Sequence, residues 1–381
     1  MRWNWEHPDW PRFSYHADAL RSSEERFLRG SGVIIGALLH VADDEKQALT
    51  IDLIAQETID SSAIEDEALD RASVQSSLAK HLGFKADHRR ANAAEAGAAE
   101  LMADVWRTYG DQLTDALLFR WHAMLMGGQR DLNTIGAWRI DPQPMQIVSG
   151  ALYAPKVHFE APPSERVAAE MTAFIEWFNA TAPAGRSPLP AITRAGIAHL
   201  WFESIHPFED GNGRIGRAVA EKALAQAIEG PSLTALAETI NRHRKDYYAE
   251  LAAASQTMGI DAWLSWFARI ALEAQERTQA RVHYLIAQTR LLDRLRGKLN
   301  DRQERALLRM FAEGPDGFKG GLSAGNYRTI TGALSATATR DLAELVQLGA
   351  LRREGELKGT RYHLAIDTGP DGHFPNGIGP V

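Results

Sequence analysis

The stretch His206-Pro207-Phe208-Glu209-Asp210-Gly211-Asn212-Gly213-Arg214-Ile215-Gly216-Arg217 gathers an imidazole, two carboxylates, three glycines and two guanidinium groups into a dozen residues. Ahead of it Ile192, Ala195, Ile197, Leu200, Trp201 and Ile205 recur at helical rather than alternating spacing, so the stretch follows a helix. Proline disfavours helical geometry in the residue before it, which ends that helix beside His206 and leaves the imidazole at a terminus. Gly211 and Gly213 let the backbone pass close to a ligand, and a second helix begins there with its free N–H groups facing the turn. Arg214 and Arg217, three apart on that helix, are placed to reach phosphate oxygens, and Asp210 supplies a hard oxygen ligand for Mg²⁺. Phe208 is expected to plug the core and fix the loop.

Blander readings compete. A His between two helices most often packs or caps, and only its neighbours make it a candidate general base. Residues 211–216 also spell Gly-x-Gly-x-x-Gly, but a helix and not a strand precedes them and no βαβ unit follows, which argues against a dinucleotide fold. No G-x-x-x-x-G-K-[ST] run occurs, which argues against a conventional nucleotide hydrolase or kinase.

Working outward, the 381 residues are 45% apolar and 24% charged, the balance of an ordinary soluble globular chain. Cysteine is absent, which removes thiolate catalysis and cysteine-ligated zinc. The net charge of −7 gives no global attraction to nucleic acid or to an anionic membrane. The longest apolar stretch, Gly32 to Ala42, falls short of the ~20 residues that span a bilayer. No membrane partner is expected, and a cytoplasmic location is.

The expected fold is mainly α. A Trp-rich opening leads into helices near 22–42, 44–60 and 70–82, together an N-terminal helical domain over 1–100. A core follows at 101–270. Within it Met145–Gly150 faces Tyr153–Phe159 as a small β-hairpin, and Ser164 is expected to cap the helix that resumes after it. A connecting helix is expected over 271–300. Residues 301–366 then read helix, helix, the run Ser335–Leu342, and a turn-like stretch at 355–359 between two short strand candidates, an order resembling a winged helix-turn-helix. The Gly- and Pro-rich end, 367–381, is assigned to a disordered tail.

Residues 206–217 resemble the signature of the Fic family, His-x-Phe-x-[Asp/Glu]-Gly-Asn-Gly-Arg-x-x-Arg, at every specified position. Gly136-Ala137-Trp138-Arg139, the hairpin, Asn241 and Tyr247-Tyr248 look like further family features, so the resemblance covers roughly 1–270. It implies a Fic-type helical core that transfers AMP from ATP to Ser, Thr or Tyr hydroxyls of proteins, with Mg²⁺ held by Asp210. His206 would be the general base; Gly211, Asn212, Gly213, Arg214, Gly216 and Arg217 would hold the ATP. Asn241, Tyr247 and Tyr248 either line the adenine side or belong to the core. The hairpin at 146–159 resembles the family's flap, which holds a target segment by strand addition; self-modification and a homodimer stay open.

Ser61-Ser62-Ala63-Ile64-Glu65-Asp66 resembles the family's inhibitory motif, [Ser/Thr]-x-x-x-Glu-[Gly/Asn], departing from it at Asp66. That resemblance implies that Glu65, with Ser61, engages Arg217 and bars productive ATP. The alternative is that Ser61 and Ser62 cap a helix whose first turn carries Glu65, Asp66 and Glu67 against its dipole. Two other functions remain: a DNA-binding regulator, and an enzyme that also removes AMP, with Glu65 activating water. Residues 301–366 hold ten Lys/Arg against eight Asp/Glu, too balanced to choose DNA over a protein partner by charge, although Arg340, Arg352, Arg353, Lys358 and Arg361 offer a local patch.

Overall fold

The Trp-rich opening is strapped onto the elements that carry the site. Trp3 stands edge-on to Phe159 with centroids 5.3 Å apart, and Asn4 Nδ2 donates to Ser204 Oγ at 2.9 Å. Trp5 Nε1 donates to the Glu160 carbonyl at 2.7 Å, and Trp10 Nε1 to the Glu170 carboxylate at 2.8 Å. Trp5 and Trp10 thus spend their single indole donors while their rings are packed. The computed structural model describes residues 2–39, 41–86, 89–149, 156–231, 234–314, 318 and 320–366.

Two compact units divide the chain, residues up to 33 with 42–278 and residues 34–41 with those from 279 on. Helix α1 (Ala17–Leu38) is followed by α2 (Asp43–Ile64), α3 (Arg71–Leu82), α4 (Ala93–Arg107) and α5 (Asp115–Met126). Asp70, Asn92 and Thr114 cap the last three through their side chains. Strands β1 (Gln146–Ser149) and β2 (Lys156–Glu160) pair antiparallel, with Gln146 opposite Glu160 and a shift in register between Ile147 and Val148. The tip of this expected hairpin, 150–155, lies outside the described residues. Then come α6 (Ser164–Ala180), α7 (Ala191–Ile205), α8 (Asn212–Ala227), α9 (Leu236–Arg242), α10 (Arg244–Ala254) and α11 (Asp261–Leu295).

The central pair is α7 against α8, with Phe202, Ile205, Ile215 and Val219 fully buried between neighbours. Helix α2 packs on α9 and α3. It is docked in part by a buried acid: Glu57 Oε1 accepts from the Ala237 N–H at 2.6 Å, near the start of α9. Glu57 Oε2 has no hydrogen-bond partner among the described residues.

Two expectations are corrected here. Ser164 is the first residue of α6 and caps nothing; Pro163 takes the cap position with extended ψ, and no side chain caps the helix. Helix α2 runs on to Ile64 rather than stopping near 60, so Ser61 and Ser62 lie in its last turn and cannot cap a helix start. The reading of Glu65 and its neighbours as first-turn acids falls with it.

In the second unit α12 (Asp301–Phe311), α13 (Ala324–Thr331) and α14 (Ser335–Gln347) precede β3 (Leu351–Glu354) and β4 (Arg361–Leu364), paired antiparallel from Leu351–Leu364 to Glu354–Arg361. Asn300 and Gln303 form a capping box at α12, and Ser323 caps α13. Leu307, Met310, Leu342 and Leu345 make the core, and the buried Asp341 accepts from Arg302 Nε at 2.9 Å and Tyr327 Oη at 3.0 Å. The expected tail, 367–381, lies outside the described residues. No described helix is long and apolar enough to cross a membrane.

Candidate active site

His206 closes α7 in the left-handed region, φ 50° and ψ 62°, its N–H donating to the Phe202 carbonyl at 2.9 Å. A non-glycine residue holds that conformation only when its surroundings fix it. Arg139, 2% exposed, does so: its Nε donates to the His206 carbonyl at 2.8 Å, its Nη2 reaches the Pro162 and Ile205 carbonyls, and its own N–H donates to the Pro207 carbonyl at 2.9 Å. Nothing in the sequence around Arg139 assigns it this task.

The loop after His206 is equally constrained. Phe208 is fully buried, stacked on His122 with centroids 4.1 Å apart and lying 5.1 Å from Trp138. It is the expected plug, and burial of such a side chain contributes about 1.5–3 kcal/mol. Asn212 accepts from the Phe208 N–H at 2.9 Å and donates to the Phe208 carbonyl at 2.8 Å, so its amide braces the loop from within. Gly211, at φ 79°, is the N-cap of α8, and a Cβ there would strike the Met126 side chain. Glu209 accepts from the Asn133 N–H and the Thr134 hydroxyl at 2.8 and 2.9 Å. The backbone N–H groups at the start of α8 are thereby held in one place for an anion.

Residues 112–224 match the family model described as Fic/DOC family. This part of the chain is similar to Fic domains. Residues 3–84 match a second model, described only as a domain of unknown function, DUF4172. Among solved structures, a Fic family protein from Desulfovibrio desulfuricans G20 is 21% identical, with a TM-score of 0.52 over 90% of this chain and 95% of its own. A Fic domain containing signaling protein from Bacteroides thetaiotaomicron VPI-5482 is 15% identical, with a TM-score of 0.50 over 68% of this chain and 95% of its own. Both likenesses show the shared fold. Fic domains are generally transferases, commonly of a nucleoside monophosphate to proteins.

Both arginines of the Fic signature are engaged by the turn that follows α2. Arg217, fully buried, donates from Nε to Ser61 Oγ at 3.0 Å and from Nη2 to the Ser61 carbonyl and Glu65 Oε1 at 2.7 and 2.8 Å. Arg214 Nη1 donates to Glu67 Oε2 at 2.5 Å. Between them Asp66 takes φ 60° and accepts from Arg244 Nη1 at 2.7 Å. Asp is among the few side chains that tolerate left-handed geometry, so the departure from Gly or Asn keeps the turn and adds a charge. Three consecutive acids therefore hold three different guanidinium groups. Burial, the largest single cause, lowers the basicity of Arg217, but the Glu65 carboxylate together with Tyr247 and Glu203 outweighs it, holding the group above its ordinary value.

Glu65, His206, Gly213, Arg244, Tyr247 and Tyr248 line one cavity of about 600 Å³, with Ile147 and His158 of the hairpin at its wall. Tyr247 is 1% exposed and shares a 2.9 Å hydrogen bond with His199 Nε2, whereas the half-exposed Tyr248 donates to the Ile64 carbonyl at 2.9 Å. Tyr247 is thus part core and part wall. Asn241 donates to Asp60 at 2.8 Å and is not among the lining residues. Gly216 faces α7 instead of the anion site: a Cβ there would lie 2.5 Å from Glu203 Oε1. A Cβ on Gly213 would overlap the Glu65 carboxylate.

Asp210 is half-exposed, with Oδ1 accepting from the Gly211 N–H at 2.6 Å and 3.8 Å from Arg214 Nη2. Among the described residues no three His, Asp or Glu side chains gather as a metal cage. One free-edged carboxylate suits Mg²⁺, which keeps waters and takes phosphate oxygens in place of a full protein set. Burial, with Arg139 adding to it, pulls the His206 imidazole down to about 4, so it is neutral and able to accept a proton at physiological pH.

Proposed function

We propose that this chain transfers AMP from ATP to Ser, Thr or Tyr hydroxyls of proteins and is held off by Glu65. The observation that carries the reading is one cavity lined by the neutral His206, by Gly213 at the start of α8 and by Glu65, with that carboxylate seated on the buried Arg217 behind it. His206 takes the proton of the target hydroxyl as its oxygen attacks the α-phosphorus; the new O–P bond forms as the bond to pyrophosphate breaks, and pyrophosphate leaves with the electron pair. The N–H groups at the start of α8 face the α-phosphate, and Arg214 and Arg217 receive the outer phosphates once the acids withdraw. Mg²⁺ bound at Asp210 would neutralise charge between the α- and β-phosphates.

The hairpin β1–β2 borders the cavity through Ile147 and His158, which suits strand addition of a target segment beside His206. Removal of AMP is the second reading, favoured by Glu65 lining the same cavity as His206. The unit from 279 on is read as a recruiting module for a protein partner or DNA. Its Arg352 is spent on Glu354 at 3.2 Å, which weakens the phosphate footprint.

Incubation with ATP labelled at the α- or the γ-phosphate, followed by intact mass, tests the reading. Gain of AMP from the α-label supports it; gain of phosphate from the γ-label, or no gain from any Glu65-released variant that binds ATP, contradicts it.

A further inference from the structure

Glu203 stands one turn before His206 on α7, and its Oε2 lies 3.8 Å from His206 Nδ1. That nitrogen is buried and makes no well-formed hydrogen bond among the described residues, although the Glu203 backbone carbonyl also acts on the imidazole as a weak acceptor, and Glu203 Oε1 is likewise buried without a partner. The carboxyl group lines the same cavity as the base, with its side chain 11% exposed. Gly216 of α8 makes the room: any larger residue would press into Glu203 Oε1 at 2.5 Å and His199 Nδ1 at 3.3 Å. A buried acid with an unspent oxygen beside an imidazole nitrogen with an unspent position, under a glycine that admits it, is a costly arrangement unless the two groups use each other.

We infer that Glu203 is the positioning residue of His206, accepting the Nδ1–H so that Nε2 is the nitrogen left to take the proton of the target hydroxyl. This rests on the AMP-transfer reading for its chemistry and on the structure alone for its geometry. The carboxylate moves no proton itself; it fixes the tautomer and stabilises the imidazolium that forms when Nε2 is protonated. The 3.8 Å separation closes to hydrogen-bond length once the carboxyl is ionised and Nδ1 carries the proton, loose geometry being common in apo catalytic contacts.

The surroundings set when this partnership is available. Burial, then the Glu65 carboxylate, push Glu203 up to about 8 against the opposing Arg217, so the clamped chain keeps the acid protonated at neutral pH. Facing the pair are Glu65 at the end of α2, Arg217 on α8, Tyr247 on α10, His199 on α7, and Arg139 and Asp210 from the flanking loops. Withdrawal of Glu65 removes one of the two causes that raise the acid. The same movement that frees Arg217 therefore favours the ionised partner His206 needs.

The test is a titration of the His206 ring nitrogens by ¹⁵N NMR on the full chain without ATP, the resonances being assigned by their loss in His206→Gln. The wild type is expected to shift toward the Nδ1–H tautomer as pH rises through about 8. Glu203→Gln and Glu203→Met are expected to lose that response. A flat wild-type titration from pH 6 to 9.5, or an unchanged one in both variants, overturns the inference, and the wild-type arm needs no variant to fold. Because no nucleotide is present, this outcome is independent of whether AMP is transferred. In a Glu65→Gly background, Glu203→Gln is expected to lower kcat by about 10- to 100-fold with KM for ATP unchanged, as for partners that act through a ligand's other nitrogen. An unchanged kcat, or a loss confined to KM, counts against it.

Discussion

Two segments meet in the cavity and are held there by different physics. The loop from His206 to Gly213 is fixed by its own backbone: Arg139 grips the His206 and Ile205 carbonyls, Asn212 closes on both backbone groups of Phe208, and Phe208 is sealed between His122 and Trp138. The turn from Glu65 to Glu67 is fixed to the site by side-chain charge, one ion pair per residue, to Arg217, Arg244 and Arg214. The first is a rigid part that keeps its geometry whatever binds. The second is a detachable part, because the carboxylate ends of these pairs are partly exposed and a competing anion can replace them on the guanidinium groups, while a loop held by buried backbone hydrogen bonds has no such competitor.

The largest effect should come from the rigid part. His206→Ala is expected to reduce transfer by about 10²- to 10⁴-fold while ATP still binds, since the imidazole acts on the hydroxyl and not on the phosphates. An isotherm for ATP beside a turnover assay checks this, and turnover near wild type contradicts it. In a Glu65-released variant, transfer is expected to fall first as the Glu203 carboxyl, raised by burial, takes its proton, and again as pH nears about 4, where the lowered imidazole begins to charge.

The detachable part should come away in unequal steps. Arg214 and Glu67 are 9% and 27% exposed, and Glu67→Gln is expected to tighten ATP by about two- to fivefold, the worth of a partly exposed pair of ~0.4–1 kcal/mol. Asp66 is 82% exposed, so Asp66→Asn should change affinity by less than about twofold. Calorimetric titration of each variant gives the order, and an effect of Asp66 larger than that of Glu67 breaks the comparison.

Glu57 sharpens the same contrast from the far side of α2. Burial, then the charge of Glu221, raise this acid well above the ordinary glutamate range. A carboxyl with a raised folded-state pKa favours the fold below the ordinary value of about 4.3 and loses that contribution as pH rises toward the folded one. Glu57→Gln keeps the acceptor for the Ala237 N–H and removes the ionisation. It is expected to melt no lower than the wild type at pH 7 and to show a flatter fall in melting temperature from pH 5 to 8. A clearly lower melting temperature would mean that the charge of Glu57 stabilises the fold.

Much of the rigid part was legible in the sequence because its chemistry is local. Pro207 and the two glycines announce a helix end, a turn and a helix start, and α7 and α8 follow. Partners distant in sequence were not legible. Arg139 acts on carbonyls 66 and 67 positions away, and nothing about an arginine after Trp138 says which carbonyls it will meet. Glu203 did carry a signal, being three residues before His206 on a helix, but so does any acid at that spacing. The turn at Glu65 was read as a resemblance; that Glu67 reaches Arg214 depends on the left-handed step at Asp66, which residue type permits without dictating. Ser61 and Ser62 lie in the last turn of α2, not at a helix start, because serines that favour helix caps in solution are here inside the site, Ser61 accepting from Arg217.

The most direct measurement is self-modification with α-labelled ATP by Glu65→Gly beside the wild type and the double variant Glu65→Gly/Arg217→Ala. Glu65→Gly is expected to raise AMP incorporation by about tenfold or more, equivalent to ~1.4 kcal/mol of binding restored at Arg217, and the double variant to fall back to background. Incorporation at the wild-type level in a Glu65→Gly protein that binds ATP would contradict the claim that this carboxylate is what holds the site off.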